Sequence, residues 1–244
     1  MTITVIGEYC TDTFIYCETN RLSPEAPVPV LNPIEIVTNP GMAGNVVQNV
    51  KSLSPSSRIF NIHQKNEIKK TRYVDHKSNH MFIRVDENDK SDEFYRNISL
   101  SNAIHNSNVV IVSDYNKGFL NETDLLEIGK LSKLSILDSK KKLSEDIIHS
   151  YTFVKMNESE YKQNIHLSDK SNIIVTLGSK GCMFNDEIFE SPSPKETIDV
   201  SGAGDTFTSA FILKYYETKN IKESLVFANQ MASIVVSKRG VSTP

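Results

Sequence analysis

VVIVSD at 109–114, LSILDSK at 134–140, YTFVK at 151–155 and NIIVTLG at 172–178 decide the fold class. Each is a short, continuously apolar run that turns polar at its end. A strand buried on both faces reads this way, because neither alternation face meets water. Between the first two runs, Glu122 to Leu131 reads as a helix, and Asn157 after the third is a helix starter. Strands alternating with helices predict an α/β fold, a mostly parallel sheet covered on both faces. The runs end in Ser113/Asp114, Asp138/Lys140, Asn157/Glu160 and Thr176/Gly178. Ligands of open α/β sheets bind beyond the carboxyl ends of the strands, so these residues stand where chemistry is expected.

Working outward, Thr2 to Ile6 reads as a buried first strand broken at Gly7. Segment 13–38 is different. It carries Pro24, Pro27, Pro29 and Pro33, with Pro40 just beyond, and prolines avoid central strands. It is read as an extended excursion from the main sheet. Gly41 to Leu53 has the apolar stripe Val46, Val47, Val50 and Leu53 of a helix. Arg58 to Ile62 is a short strand, 70–86 a hairpin turning near Lys77 to Asn79, and Ser91 to Asn106 a helix.

The 244 residues suit one domain with a small appendage. A hydrophobic share of 39% and a formal net charge of -3 suit a globular protein and exclude a basic nucleic-acid-binding surface. No run reaches the length of a membrane span. Cys10, Cys17 and Cys182 are odd in number and widely spaced, which predicts neither a disulfide framework nor a zinc site. The N-terminus lacks the pattern of a signal peptide, and cytoplasm is the expected compartment. His63, His76 and His80 form no metal set.

The sharpest motif is DVSGAGDTFTSAF, 199–211. Gly202, Ala203 and Gly204 form a small-residue turn that opens a helix. Backbone N–H groups at such a helix start make an anion site. Asp205 in the first turn is placed to accept a proton from an attacking hydroxyl while those N–H groups hold a phosphoryl group. The same residues would also serve as a tight turn with Ser201 or Asp205 capping the helix. A P-loop is excluded, because GxxxxGK[ST] is absent, and the dinucleotide fingerprint GxGxxG is not completed.

DVSGAGDTF resembles the C-terminal signature of the PfkB/ribokinase family of carbohydrate kinases. RLSPEAPVPVL (21–31), PGMAGNVVQNV (40–50), SDYNKG (113–118), KMNESEY (155–161), VTLGSKG (175–181) and FANQMASIVVSKRGVSTP (227–244) resemble, in order, the heptose branch of that family. Its members are D-glycero-β-D-manno-heptose-7-phosphate 1-kinases, the kinase domains of bifunctional enzymes of lipopolysaccharide precursor synthesis. The resemblance implies a ribokinase-like three-layer α/β/α fold with a small β lid, segments 13–38 and 70–86, that pairs between subunits in a homodimer.

It also implies roles. Asp205 would be the catalytic base and Gly202, Ala203 and Gly204 the anion hole. Asn157 and Glu160 match an NxxE motif associated with ATP phosphates and with Mg²⁺, which Glu160 would reach through water. The same pair would also make a capping box. Thr176, Gly178, Gly181 and Asn229 would face the nucleotide. Asp12, Gly41, Ala43 and Asn45 would face the sugar. Lys70, Arg72 and Arg84 on the hairpin would bind a substrate phosphate or form a solvated hairpin face. Lys117 and Lys140 follow strand ends and are weaker candidates for phosphate contacts.

Three features depart from the family pattern. RIFNIHQKNEIKKTRYV passes from strand to hairpin with no room for a further helix and strand, so the sheet is expected to be shortened at one edge. Glu8 stands where the family has aspartate. GVSTP ends the kinase resemblance, and a nucleotidyltransferase partner is expected to be a separate protein. The function expected is ATP-dependent phosphorylation of a sugar phosphate. Another sugar, or a non-catalytic role in binding sugar phosphate or nucleotide, stands as the alternative.

Overall fold

The computed structural model describes residues 1–95, 97–192 and 199–244. Its main sheet has eight strands. In chain order these are β1 (Thr2–Gly7), β4 (Arg58–Ile62), β7 (Val109–Asp114), β8 (Ser135–Ser139), β9 (Phe153–Asn157), β10 (Ile173–Thr176), β11 (Cys182–Phe184) and β12 (Glu187–Phe189). Their spatial order is β12-β11-β10-β9-β8-β7-β1-β4. Strands β10 to β4 of that order run parallel, and β11 and β12 return antiparallel at one edge.

The apolar runs alternate between two cores, which is why they read as continuous. Ile3, Val5, Val109, Ile111 and Ile136 pack under α1 (Ala43–Leu53), α6 (Ala203–Thr218) and α7 (Ile221–Val235). Ile6, Val110, Val112, Leu137 and Val154 face α2 (Ile98–Asn106), α3 (Glu122–Leu131), α4 (Glu145–Ser150) and α5 (Glu158–Gln163). The three-layer α/β/α expectation holds. The helix expected from Ser91 is shorter: it starts at Ile98, where Asn97 accepts the Leu100 N–H as its cap. Arg96, within the expected range, lies outside the described residues.

The excursion is a second sheet of four strands in the order β3-β2-β5-β6, with β2 (Tyr9–Leu22), β3 (Pro29–Met42), β5 (Ile68–Asp75) and β6 (Met81–Glu87). Its two halves meet through the parallel pair β2/β5, with Asp12 opposite Lys70. The main sheet ends at β4, and the chain goes from Ile62 directly into the lid, as the short connection demanded. No helix among the described residues is long and apolar enough to cross a membrane.

Candidate active site

The start of α6 lies beside strand ends of the main sheet: Lys155 of β9 stands next to Gly204, and Tyr115, just after β7, reaches Asp205. There Gly202 takes the left-handed φ of 80° and stands at the N-cap with no side-chain cap bond, so neither Ser201 nor Asp205 caps this helix. A Cβ on Gly202 would fall 2.6 Å from Asn45 Nδ2, so only glycine fits both the backbone and the space. Ala203 N–H reaches the Val200 carbonyl at 3.4 Å, a long bond, and no side chain caps the helix start, so its positive end is open to an anion.

Asp205 is 6% exposed and is gripped from two directions. Asn45 Nδ2 donates to its Oδ2 at 2.7 Å, and the Tyr115 hydroxyl donates to its Oδ1 at 3.2 Å. The Asn45 amide is oriented in turn, because Asn49 Nδ2 donates to its Oδ1 at 3.2 Å and Thr206 Oγ1 donates to Asn49 Oδ1 at 2.7 Å. Burial pushes the Asp205 carboxyl up to about 6, with Asn45, Lys155 and Tyr115 holding it back and Asp138 adding to the rise. A carboxylate poised there is ionised near neutral pH and basic enough to take a proton.

Beside the α6 start runs a chain of alternating charges. Lys155 Nζ donates to Asp138 at 2.8 Å and lies 3.2 Å from where a Cβ on Gly204 would stand. Lys140 Nζ bridges Asp138, at 3.5 Å, and Glu160. Burial would raise the Asp138 carboxyl, but the ammonium groups of Lys155 and Lys140 outweigh it and hold the group below its usual range. Lys140 is raised, since Asp138 and Glu160 overcome its own burial. Asn157 and Glu160 form a reciprocal capping box on α5. Asn157 N–H and Nδ2 donate to the two Glu160 oxygens at 2.8 and 2.7 Å, so this carboxylate is held rigidly at the strand ends.

On the far side of α6 lies a cleft of about 250 Å³. Thr176, Gly178, Gly181 and Asn229 line it together with Ala203, Gly204 and Phe207. Gly181 has φ 98°, and a Cβ there would lie 2.1 Å from the Phe189 carbonyl oxygen, so the turn after β10 closes tightly on β12. Asn229 Nδ2 donates to that same oxygen at 2.8 Å. The four residues expected around a nucleotide therefore share one cleft, which opens beside the α6 start.

The lid side differs from expectation. Arg72 is a partner of Asp12, with Nε donating to Oδ1 at 2.8 Å and Nη2 to Oδ2 at 3.1 Å. Arg84 grips Asp86 in the same bidentate way and sits on an exposed strand. Neither guanidinium is a vacant anion site, because each stands within reach of a carboxylate on its own or a neighbouring strand. Lys70 is 8% exposed, packs its ammonium 5.5 Å from the Tyr115 ring centre, and makes no ion pair with a described residue. Gly41 closes β3 against Cys10 and Asp12, and Ala43 opens α1 with its N–H donating to the Glu8 carbonyl at 2.9 Å. Lys117 pairs with Asp89, away from the strand-end chain of charges.

The family comparison decides the assignment. Residues 63–244 match the model of the pfkB family carbohydrate kinases. The chain belongs to this family. It is 30% identical to the bifunctional protein HldE of Helicobacter pylori (strain J99 / ATCC 700824) over 98% of the chain and 63% of that protein. The chain thus spans less than two thirds of the length of this relative. The alignment has 295 positions against 244 residues, so at least 51 positions of the relative have no counterpart here. Ribokinase from Thermotoga maritima superposes with a TM-score of 0.74 at 20% identity, covering 100% of this chain and 96% of that one. The Arabidopsis thaliana ribokinase complexed with ribose and ATP superposes with a TM-score of 0.70 at 16% identity, covering 98% and 93%. The fold is therefore ribokinase-like.

Two residues beside Asp205, Tyr115 and Lys155, are not singled out by the sequence. Tyr115 lies inside SDYNKG, and only the fold brings it to Asp205. Lys155 was hidden in an apolar strand; the signal was a lysine in a run otherwise buried on both faces. Glu8 shows how its extra methylene is absorbed. Its buried carboxylate accepts the N–H groups of Tyr115, Lys117 and Phe119 at 2.8, 2.9 and 3.3 Å, which shapes the loop that carries Tyr115.

Proposed function

We propose that the chain transfers the γ-phosphoryl group of ATP to the anomeric hydroxyl of a sugar phosphate, D-glycero-D-manno-heptose 7-phosphate, with Asp205 as general base. The observation that carries this reading is the buried Asp205 carboxylate, held by Asn45 and Tyr115 next to the 202–204 turn, which opens α6 with no side-chain cap. The acceptor hydroxyl gives its proton to Asp205 as its oxygen attacks the γ-phosphorus in line, and the 202–204 N–H groups take up charge on the transferred group. Lys155 and Lys140, at the same strand ends, are placed to meet phosphate oxygens.

The nucleotide would occupy the cleft beside Thr176, Gly178, Gly181 and Asn229. Magnesium is expected to enter on its phosphates. Both Glu160 oxygens already accept hydrogen bonds from Asn157, and one also meets Lys140. Among the described residues no group of three or more His, Cys, Asp or Glu side chains could hold an ion. Glu160 therefore suits contact through a water of the ion and not direct coordination. The ion supplies neutralisation of phosphate charge when bound.

A phosphorylated sugar is favoured because Lys70, Arg72 and Arg84 share the lid face that carries Asp12 and Asp86. A phosphate can replace a carboxylate as the partner of either arginine. The heptose is favoured by the likeness to HldE proteins along the chain. The opposite lid face sets Ile36, Ile15, Tyr73 and Ile83 in one cross-strand row, with Ile36 64% and Ile83 53% exposed. Such a face supports a homodimer through the lids. The test is ADP formation with Mg-ATP and the β-heptose 7-phosphate beside a panel of hexoses and their phosphates. Turnover that peaks on the heptose phosphate upholds the substrate. A peak elsewhere overturns the heptose and leaves the kinase.

A further inference from the structure

The Tyr115 hydroxyl is the one polar group that reaches Asp205 from the loop after β7. Tyr115 comes from a segment fixed by three hydrogen bonds to the buried Glu8, which joins β1 of the main sheet to β2 of the lid. Its ring packs against Cys10, Met42 and Ile68 at the base of the lid. Two ammonium groups lie over that ring, Lys70 from the lid at 5.5 Å and Lys140 from the strand-end charges at 5.6 Å. The ring therefore stands between the sugar-facing lid and the nucleotide side, and its hydroxyl points at the carboxylate between them.

We propose that Tyr115 is a positioning residue for phosphoryl transfer, whose hydroxyl holds the Asp205 carboxylate against rotation and leaves one Oδ1 lone pair for the acceptor hydroxyl. This rests on reading Asp205 as the base. Asn45 donates to Oδ2 at 2.7 Å, and Tyr115 donates to Oδ1 at 3.2 Å with a longer reach of 3.5 Å to Oδ2, so the carboxylate plane is held by two donors on different elements. Each carboxylate oxygen accepts about two hydrogen bonds, so the Tyr115 bond does not exhaust Oδ1. A donor to the ionised form also favours ionisation, which a base needs at the start of each turnover. The other charged or titratable groups that act on Asp205 are Lys155, Asp138, Lys140 and Cys10. None of them donates to its oxygens, and Tyr115→Phe leaves all of them in place.

The variant keeps the ring and its packing, so it is expected to fold. The first measurement is the titration of aspartate Cγ resonances in ¹³C-labelled whole chain without ligands. The Asp205 signal is the one absent from Asp205→Asn. In Tyr115→Phe its midpoint moves to higher pH, by about one pH unit for a lost hydrogen bond to a charged group. The kcat with Mg-ATP and the panel sugar turned over best falls about tenfold, and the acid limb of kcat/KM moves upward with the titration. 3-Fluorotyrosine at position 115, a stronger donor, moves the midpoint the other way. An unchanged midpoint in Tyr115→Phe overturns the proposal whatever the rate does, because a merely structural tyrosine leaves the carboxyl untouched. Turnover that survives Asp205→Asn overturns the base assignment instead, which keeps the two failures distinct.

Discussion

The nucleotide-side cleft and the lid are built on opposite terms. The cleft is shaped by short turns after strands of the main sheet, and its walls are backbone, glycine and small side chains. Its shape is present without a ligand. The lid is a four-stranded sheet whose inner face pairs Asp12 with Arg72 and Asp86 with Arg84 and leaves Lys70 without an ion pair to a described residue. On the proposed reading, a sugar phosphate entering there would displace Asp12 or Asp86 from its arginine. The contrast teaches where selectivity resides. A preformed cleft accepts its ligand at little reorganisation cost, whereas a self-paired lid rejects any sugar that cannot compensate the pairs it breaks. Asp205 stands between them, held by Asn45 from the helix after the lid strand and Tyr115 from the main-sheet side.

The largest effect is expected at that junction. Asp205→Asn is expected to lower turnover about a thousandfold, at the middle of the range for a general base, while both ligands still bind. Loss of nucleotide affinity in a calorimetric titration would mean that the cleft depends on the base and is not independently formed. The same variant carries a stability signature. Burial raises the folded carboxyl from 3.8 to about 6, so the unfolded chain ionises first as pH rises. Below about pH 4 the wild type bears no cost. The cost grows from there to about pH 6 and is complete above it, so Asp205→Asn gains relative stability across that window, roughly 3 kcal/mol by neutral pH. Urea denaturation at pH 4 and pH 7.5 measures it, and an equal difference at both pH values contradicts the buried-base geometry.

Arg72→Gln sharpens the lid side. It frees Asp12 from a bidentate partner 16% exposed at its side chain, and the sugar KM is expected to rise about twentyfold with nucleotide affinity unchanged. Equal effects on both substrates would show that lid and cleft act as one body. The smallest effect is expected at Asn229→Leu, which removes the donor to the Phe189 carbonyl at the cleft wall. The KM for ATP should rise about fivefold, the worth of one hydrogen bond, with the sugar KM unmoved. A change in the sugar KM there would place Asn229 in a different role.

Much of this was legible in local pattern. The four apolar runs announced the sheet, the proline-rich segment announced the excursion, and the spacing of Asn157 and Glu160 announced a capping box that the structure contains. The antiparallel strands β11 and β12 were not legible, because three-residue strands carry too few alternations to stand out. The pairing of Arg72 with Asp12 was not legible either. Those residues are 60 positions apart and meet only because β2 and β5 pair in parallel at that register. Tyr115 and Lys155 were passed over for a related reason. One is a loop residue and the other a strand residue until the fold gives each an acceptor.

The sequence by itself determined the α/β class, the turn that opens α6, the carboxylate in its first turn, and the family through motifs in order along the chain. These are properties of neighbouring residues, in which spacing of two, three or four positions sets backbone shape and face. Only the tertiary structure decided which donors hold Asp205, that Lys155 and Lys140 share Asp138, and that the lid arginines are already paired. Most of those contacts span 17 to 160 positions, and even Lys140–Asp138 and Arg84–Asp86, two positions apart, depend on burial and distance, which no local pattern encodes.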